Sequence, residues 1–101
     1  MDQKRSGDFS IGSTVWPGTS KLIEETGELQ QVLGKLIATA GDTTHWSGDL
    51  RKMMIEEIGD VYAALDFFVE TNLSDDDQDT IARRMANKFG LFKQWHTEQG
   101  K

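Results

Sequence analysis

Five of the chain's seven glutamates fall in two short clusters. The first is Glu24-Glu25-Thr26-Gly27-Glu28 and the second is Glu56-Glu57-Ile58-Gly59-Asp60. Both have acid at the first, second and fifth positions. Acids this close together either stay in water, pair with cations, or hold a metal ion. Their phase on a helix decides among these. With Leu22 at zero and about 100° per residue, Glu25 falls at about 300° and Glu28 at about 240°. Leu29, Val32, Leu33, Leu36 and Ala40 occupy the same apolar arc. Counted from Met54 in the second cluster, Glu57 again falls at about 300°, between Leu50 and Ala64, and Asp60 at about 240°. A charge cluster on a helix is ordinarily a solvated face, but these two pairs lie on the border of a core-facing stripe. Charges there are costly unless paired or bound to metal. Four oxygen donors without His or Cys suit Mg²⁺ or Mn²⁺.

Cations are placed to match. Lys21 lies one turn before Glu25 on the same side. Further along, counted from Ile81, Arg84 falls at about 300° and Lys88 at about 340°, within the stripe of Met85, Phe92 and Trp95. Two readings are open for these cations. Their stems can snorkel out of a core, or their heads can point at phosphate oxygens beside a metal.

The elements that must carry these residues are helices. Residues 1–19 read as an irregular arm, punctuated by Gly7, Gly12, Pro17 and Gly18, with Phe9, Ile11, Val15 and Trp16 as apolar anchors. A first helix begins at Thr19 or Ser20, either of which can cap it, and ends at Gly41. Residues 41–49 form a loop. A second helix runs from about Asp49 to Thr71, with Leu50, Met54, Ile58, Val61, Leu65 and Phe68 as its stripe. Asn72 and Ser74 stop it. Asp75, Asp76 and Asp77 crowd the start of a third helix, where acids favour the positive end of the dipole. Its apolar face is Ile81, Met85, Phe89, Phe92 and Trp95. No period-2 alternation predicts a strand. The expected architecture over 1–101 is a single all-α domain. It comprises an antiparallel helical hairpin and a third long helix, and four-helix bundles form from them by oligomerisation.

Composition narrows the function classes. The 101 residues carry 11 Lys+Arg against 17 Asp+Glu, a formal net charge of −6. Such a chain has no general attraction to nucleic acid or to an anionic membrane. It has no cysteine, which removes disulfides, thiolate zinc sites and cysteine nucleophiles and fits a reducing cytoplasm. No apolar run is long enough to span a bilayer, and Met1–Ser10 lacks the apolar stretch of a signal peptide. The hydrophobic fraction of 37% is low for a self-sufficient domain, which predicts a homodimer or a tetramer made of two dimers.

At these residues the sequence resembles the MazG-like, all-α nucleoside triphosphate pyrophosphohydrolases, the superfamily that also contains dimeric dUTPases, dCTP pyrophosphatases and phosphoribosyl-ATP pyrophosphohydrolases. The family mark is ExxE, a spacer, then ExxD on two helices. Here it is Glu25-x-x-Glu28 and Glu57-x-x-Asp60, set in Lys21-Leu22-Ile23-Glu24-Glu25 and Glu56-Glu57-Ile58-Gly59-Asp60-Val61. Residues 16–96 are covered. The resemblance implies that Glu25, Glu28, Glu57 and Asp60 are magnesium ligands. It implies that Lys21, Arg84 and Lys88 contact phosphates, and that Asn87 is a polar substrate contact. The family pattern in the third helix is lysine then arginine four apart, and here the order is reversed. Base recognition does not transfer. Trp16, His45 and Trp46 can either pack locally or stack on a base.

The activity this implies is cleavage of a nucleoside triphosphate to the monophosphate and pyrophosphate, with Glu24 or Glu28 accepting a proton from water. Two rivals belong to other classes. A ferritin-like di-iron bundle requires Glu-x-x-His pairs, which are absent here. A non-catalytic helical interaction module would use the acids only to pair with Lys and Arg across an interface.

Overall fold

The computed structural model describes residues 15–100. It contains α1 (Thr19–Ala38), β1 (Thr44–His45), β2 (Gly48–Asp49), α2 (Leu50–Asn72) and α3 (Asp75–Gln99). The all-α expectation holds, with one addition. β1 and β2 form an antiparallel ladder of two residue pairs, Thr44 with Asp49 and His45 with Gly48. A strand of two residues is too short to show alternation, so periodicity could not reveal it. Local polar groups hold it instead. Asp42 Oδ1 accepts from the Thr44 amide at 2.8 Å, and His45 Nδ1 accepts from the Ser47 amide at 3.0 Å. Among the described residues no helix is long and apolar enough to cross a membrane.

The helix starts follow different chemistries. Neither Thr19 nor Ser20 caps α1. The N-cap is Gly18, with φ 94° and no side-chain cap, while the Thr19 hydroxyl donates to the Trp16 carbonyl at 2.6 Å. Packing selects the glycine. A Cβ at Gly18 would lie 2.9 Å from the Phe67 ring and 3.7 Å from the Phe68 backbone. α2 is capped by Asp49, whose carboxylate accepts from the Arg51 and Lys52 amides. α3 opens on a reciprocal capping box between Ser74 and Asp77. Its aspartates at 75, 76 and 77 lie in the first turn, as the dipole argument requires.

α1 and α2 form an antiparallel hairpin. Gly18 meets Phe67 near its open end, and the Asn72 amide nitrogen donates to the Pro17 carbonyl at 2.9 Å. Trp16 stacks on Phe68 there, with ring centroids 6.2 Å apart. Phe9 and Ile11, the other arm anchors, lie outside the described residues. The core is small. Among the described residues the buried hydrophobic side chains are Val32, Leu50 and Ala64, and of these Leu50 alone is fully so. α3 contributes no buried residue and does not pack along the hairpin.

Candidate functional site

The antiparallel hairpin brings the two acid clusters face to face. Each pair sits on adjacent turns of its helix, and the helices run in opposite directions. Glu25 therefore looks across at Asp60, and Glu28 at Glu57. One carboxylate oxygen from each of Glu25, Glu28 and Glu57 lies within 4.8 Å of the others. Asp60 lies outside this tight group and is exposed. It lines a cleft of about 250 Å³ with Lys21, Glu25, Ala63, Ala64 and Phe67. Gly27 and Gly59 have open space where a Cβ would be, so no close approach requires glycine there.

The electrostatics are those of anions forced together. Glu25 and Glu57 each present a buried oxygen, Oε1, that has no hydrogen-bond partner. Burial raises the pKa of Glu25 above its ordinary 4.5, and the Glu28 charge, a hydrogen bond with Glu28 and the Asp60 charge push it the same way. Glu57 is raised from 4.5 too, first by burial, then by the charges of Glu28 and Asp60. Lys21 is raised from 10.5, chiefly by its bond to Glu24.

The outer acids behave differently. Glu24 Oε1 takes the Lys21 ammonium at 2.7 Å and is about half exposed. Glu56 meets Lys52 at 3.5 Å in solvent. The first acid of each cluster is thus a surface partner, and the second and fifth face the opposite helix. A divalent cation fits the inner group. The donors are hard oxygens, they converge, and two buried lone-pair sites await a partner.

The structure does not bring every candidate to this place. Arg84, Asn87 and Lys88 are on α3, which leaves the hairpin, so within one chain they do not reach the carboxylates. Among the described residues neither Arg84 nor Lys88 forms an ion pair. Trp16 is engaged with Phe68. His45 and Trp46 sit in the turn at the far end of the hairpin, with ring centroids 5.1 Å apart. Lys35, in the last turn of α1, donates there to Ser47 Oγ at 3.4 Å. Phe67, the apolar wall of the cleft, is one that sequence reasoning missed. It lies outside the apolar arc of α2, and only the left-handed Gly18 against its ring marks its place.

The metal-free protein should gain stability in acid. The folded-state pKa values of Glu25 and Glu57 lie above their unfolded value of 4.5. The folded protein therefore holds protons that the unfolded chain has released. The associated stability is fully present below 4.5 and is lost as pH rises through the raised values. Without divalent ions, the melting temperature should climb as pH falls from 7 toward 5. Saturating Mg²⁺ should flatten that slope, because a cation takes over the role of the protons. A metal-free melting temperature that falls over this interval contradicts the carboxylate cluster.

Among known proteins, a 79-residue stretch is 35% identical to "Putative hydrolase YbfO" of Bacillus subtilis (strain 168), covering 69% of this chain. The chain spans 18% of the length of that protein. No protein-family profile matches the chain, and no solved structure matches it.

Proposed function

We propose that the protein is a hydrolase, and specifically a MazG-like pyrophosphohydrolase that cleaves a ribo- or deoxyribonucleoside triphosphate to the monophosphate and pyrophosphate. The observation that carries this reading is the convergence of Glu25, Glu28 and Glu57, with two buried carboxylate oxygens left without partners. The likeness to a protein named as a hydrolase supports the general class.

Glu25, Glu28, Glu57 and Asp60 would hold Mg²⁺ or Mn²⁺. When bound, the ion supplies charge for the phosphate oxygens and lowers the pKa of water. It also reconciles an acidic protein with an anionic substrate, whose repulsion would otherwise prevent binding. The chain's own groups do the rest. Lys21, fixed by Glu24 at the mouth of the cleft, meets the phosphates. Glu28 or Glu24 accepts the proton of the attacking water. Arg84, Lys88 and Asn87 would complete the substrate contacts from a second chain, since α3 does not pack along its own hairpin, and Trp16 would serve the substrate from the arm.

One observation favours a second reading, a helical interaction module. Among the described residues, Glu25 and Glu57 each keep an unpartnered oxygen and Arg84 and Lys88 form no ion pair, so the two sets are complementary without any metal. A product assay separates the two. Purified protein with Mg²⁺ or Mn²⁺, given a panel of common and modified nucleoside triphosphates, should release pyrophosphate from at least one. Background rates across the panel with both ions would exclude the enzyme.

A further inference from the structure

The turn that closes the hairpin holds a second group of polar side chains, in line with the carboxylates. Counted from Leu22, Lys35 falls at about 220°, beside Glu28 at about 240°, and lies two turns or roughly 10 Å further along α1. On α2, Met53 precedes Glu57 by one turn, and its sulfur lies 3.7 Å from where a Cβ on Gly48 would be. His45 is paired with Gly48 in the ladder, and paired residues share a face. One track therefore runs from the acids, past the Met53 thioether, to His45 and Lys35. Lys35, His45, Ser47 and Met53 are all half-buried along it.

Hydrogen bonds within the turn leave donors at the end of this track. The Ser47 amide donates to His45 Nδ1 at 3.0 Å, and Ser47 Oγ lies 2.7 Å from the same nitrogen. Nδ1 is thus the acceptor, and the ring proton sits on Nε2. Lys35 Nζ gives one hydrogen to Ser47 Oγ at 3.4 Å and carries two more. A ligand that reaches the turn meets an ammonium and an imidazole N–H. A cavity of about 360 Å³ opens beside His45, lined also by Thr43, Thr44, Gly48 and Asp49. Asp49 Oδ1 is held by the Arg51 and Lys52 amides, and its other oxygen supplies an acceptor.

A nucleoside triphosphate with its phosphates at the carboxylates still has a base to place, and the track leads it to the turn. Uracil at C4 and hypoxanthine at C6 present a carbonyl beside a ring N–H. The oxygen suits Lys35 and His45, and the hydrogen suits Asp49. Cytosine and adenine carry an amino group at the same ring position, beside a bare ring nitrogen. Placed the same way, they turn hydrogens toward donors and a lone pair toward a carboxylate. The flexible Met53 packs against either ring and does not choose between them.

We propose that Lys35 and His45 read the substrate's base and select keto bases over amino bases. The substrate class rests on the hydrolase reading, whereas the donor character of the turn does not.

Matched substrate pairs test this, because each pair differs only at the carbonyl or amino position and the ring nitrogen beside it. With Mg²⁺, kcat/KM for dUTP over dCTP, and for dITP over dATP, should each be at least about tenfold, since an amino base leaves the donors of the turn without partners. Lys35→Met and His45→Phe should each lower both ratios toward one, chiefly by raising KM for the keto member. Lys35→Arg keeps the donors and should keep the preference. Binding of the monophosphates gives a readout without turnover. In calorimetric titrations with Mg²⁺, dUMP should bind the wild type more tightly than dCMP, and Lys35→Met should erase the difference.

Wild-type ratios at or below one overturn the proposal, and so do ratios that survive both Lys35→Met and His45→Phe. If the wild type hydrolyses none of the four triphosphates, the hydrolase reading loses its support and the monophosphate titration decides alone. A preference for dUMP that depends on Lys35 then sustains the reading of the base. Equal binding of dUMP and dCMP, or no binding of either, overturns it.

Discussion

Glu57→Gln should reduce hydrolysis to background and leave the metal-free protein as stable as the wild type or more so. The two effects share one cause. Glu57 sits against Glu28 and near Asp60, with one oxygen buried and unpartnered. In the metal-free protein its charge is a source of repulsion, so neutralising it relieves strain. With metal present the same charge is a ligand, so neutralising it removes both cation affinity and catalysis. Melting temperatures with and without Mg²⁺ check this directly. Ligand binding stabilises by mass action, so the gain from saturating Mg²⁺ should shrink in the variant. If Glu57 instead anchored a structural ion network, its loss would destabilise the metal-free protein by several kcal/mol, because a buried cation would be stranded.

The second large effect is on stability. Among the described residues Leu50 is the single fully buried side chain, at the first position of α2, where the loop, the ladder and the hairpin meet. Its amide also donates to the Thr43 carbonyl at 2.9 Å, which ties the loop to the helix start. Leu50→Ala should lower stability by about 3 kcal/mol, within the range for buried leucine truncations. That is a large share of the margin of a small domain. Trp46→Ala is the control. Trp46 is 91% exposed at the tip of the turn, so its removal should leave stability within about 0.5 kcal/mol. Denaturant midpoints at a fixed protein concentration measure both. Equal midpoints for the two variants would place the core elsewhere.

The three helices were legible because their apolar stripes persist for many turns and end in Gly, Asn or Ser. The placement of the inner acids was legible for the same reason. Glu25 and Glu57 fell at one phase on two helices, and an antiparallel hairpin set them within reach of Glu28. The cap of α1 was not legible. Thr19 and Ser20 have the favoured side chains, but the approach of the Phe67 ring, a tertiary contact, leaves room only for Gly18. The ladder of Thr44–His45 and Gly48–Asp49 was invisible because it rests on two residue pairs and local polar contacts. The direction of α3 was beyond reach for a different reason. Its stripe of Met85, Phe89, Phe92 and Trp95 announces that something covers it, but periodicity carries no information about whether the cover is the same chain.

If the inner carboxylates form a divalent-metal site, calorimetric titration of Mg²⁺ and Mn²⁺ into metal-free protein will reveal it. The wild type should bind saturably, and Glu57→Gln should weaken affinity at least tenfold, a difference of about 1.4 kcal/mol or more. Equal binding by the two proteins, or none by the wild type, would contradict it.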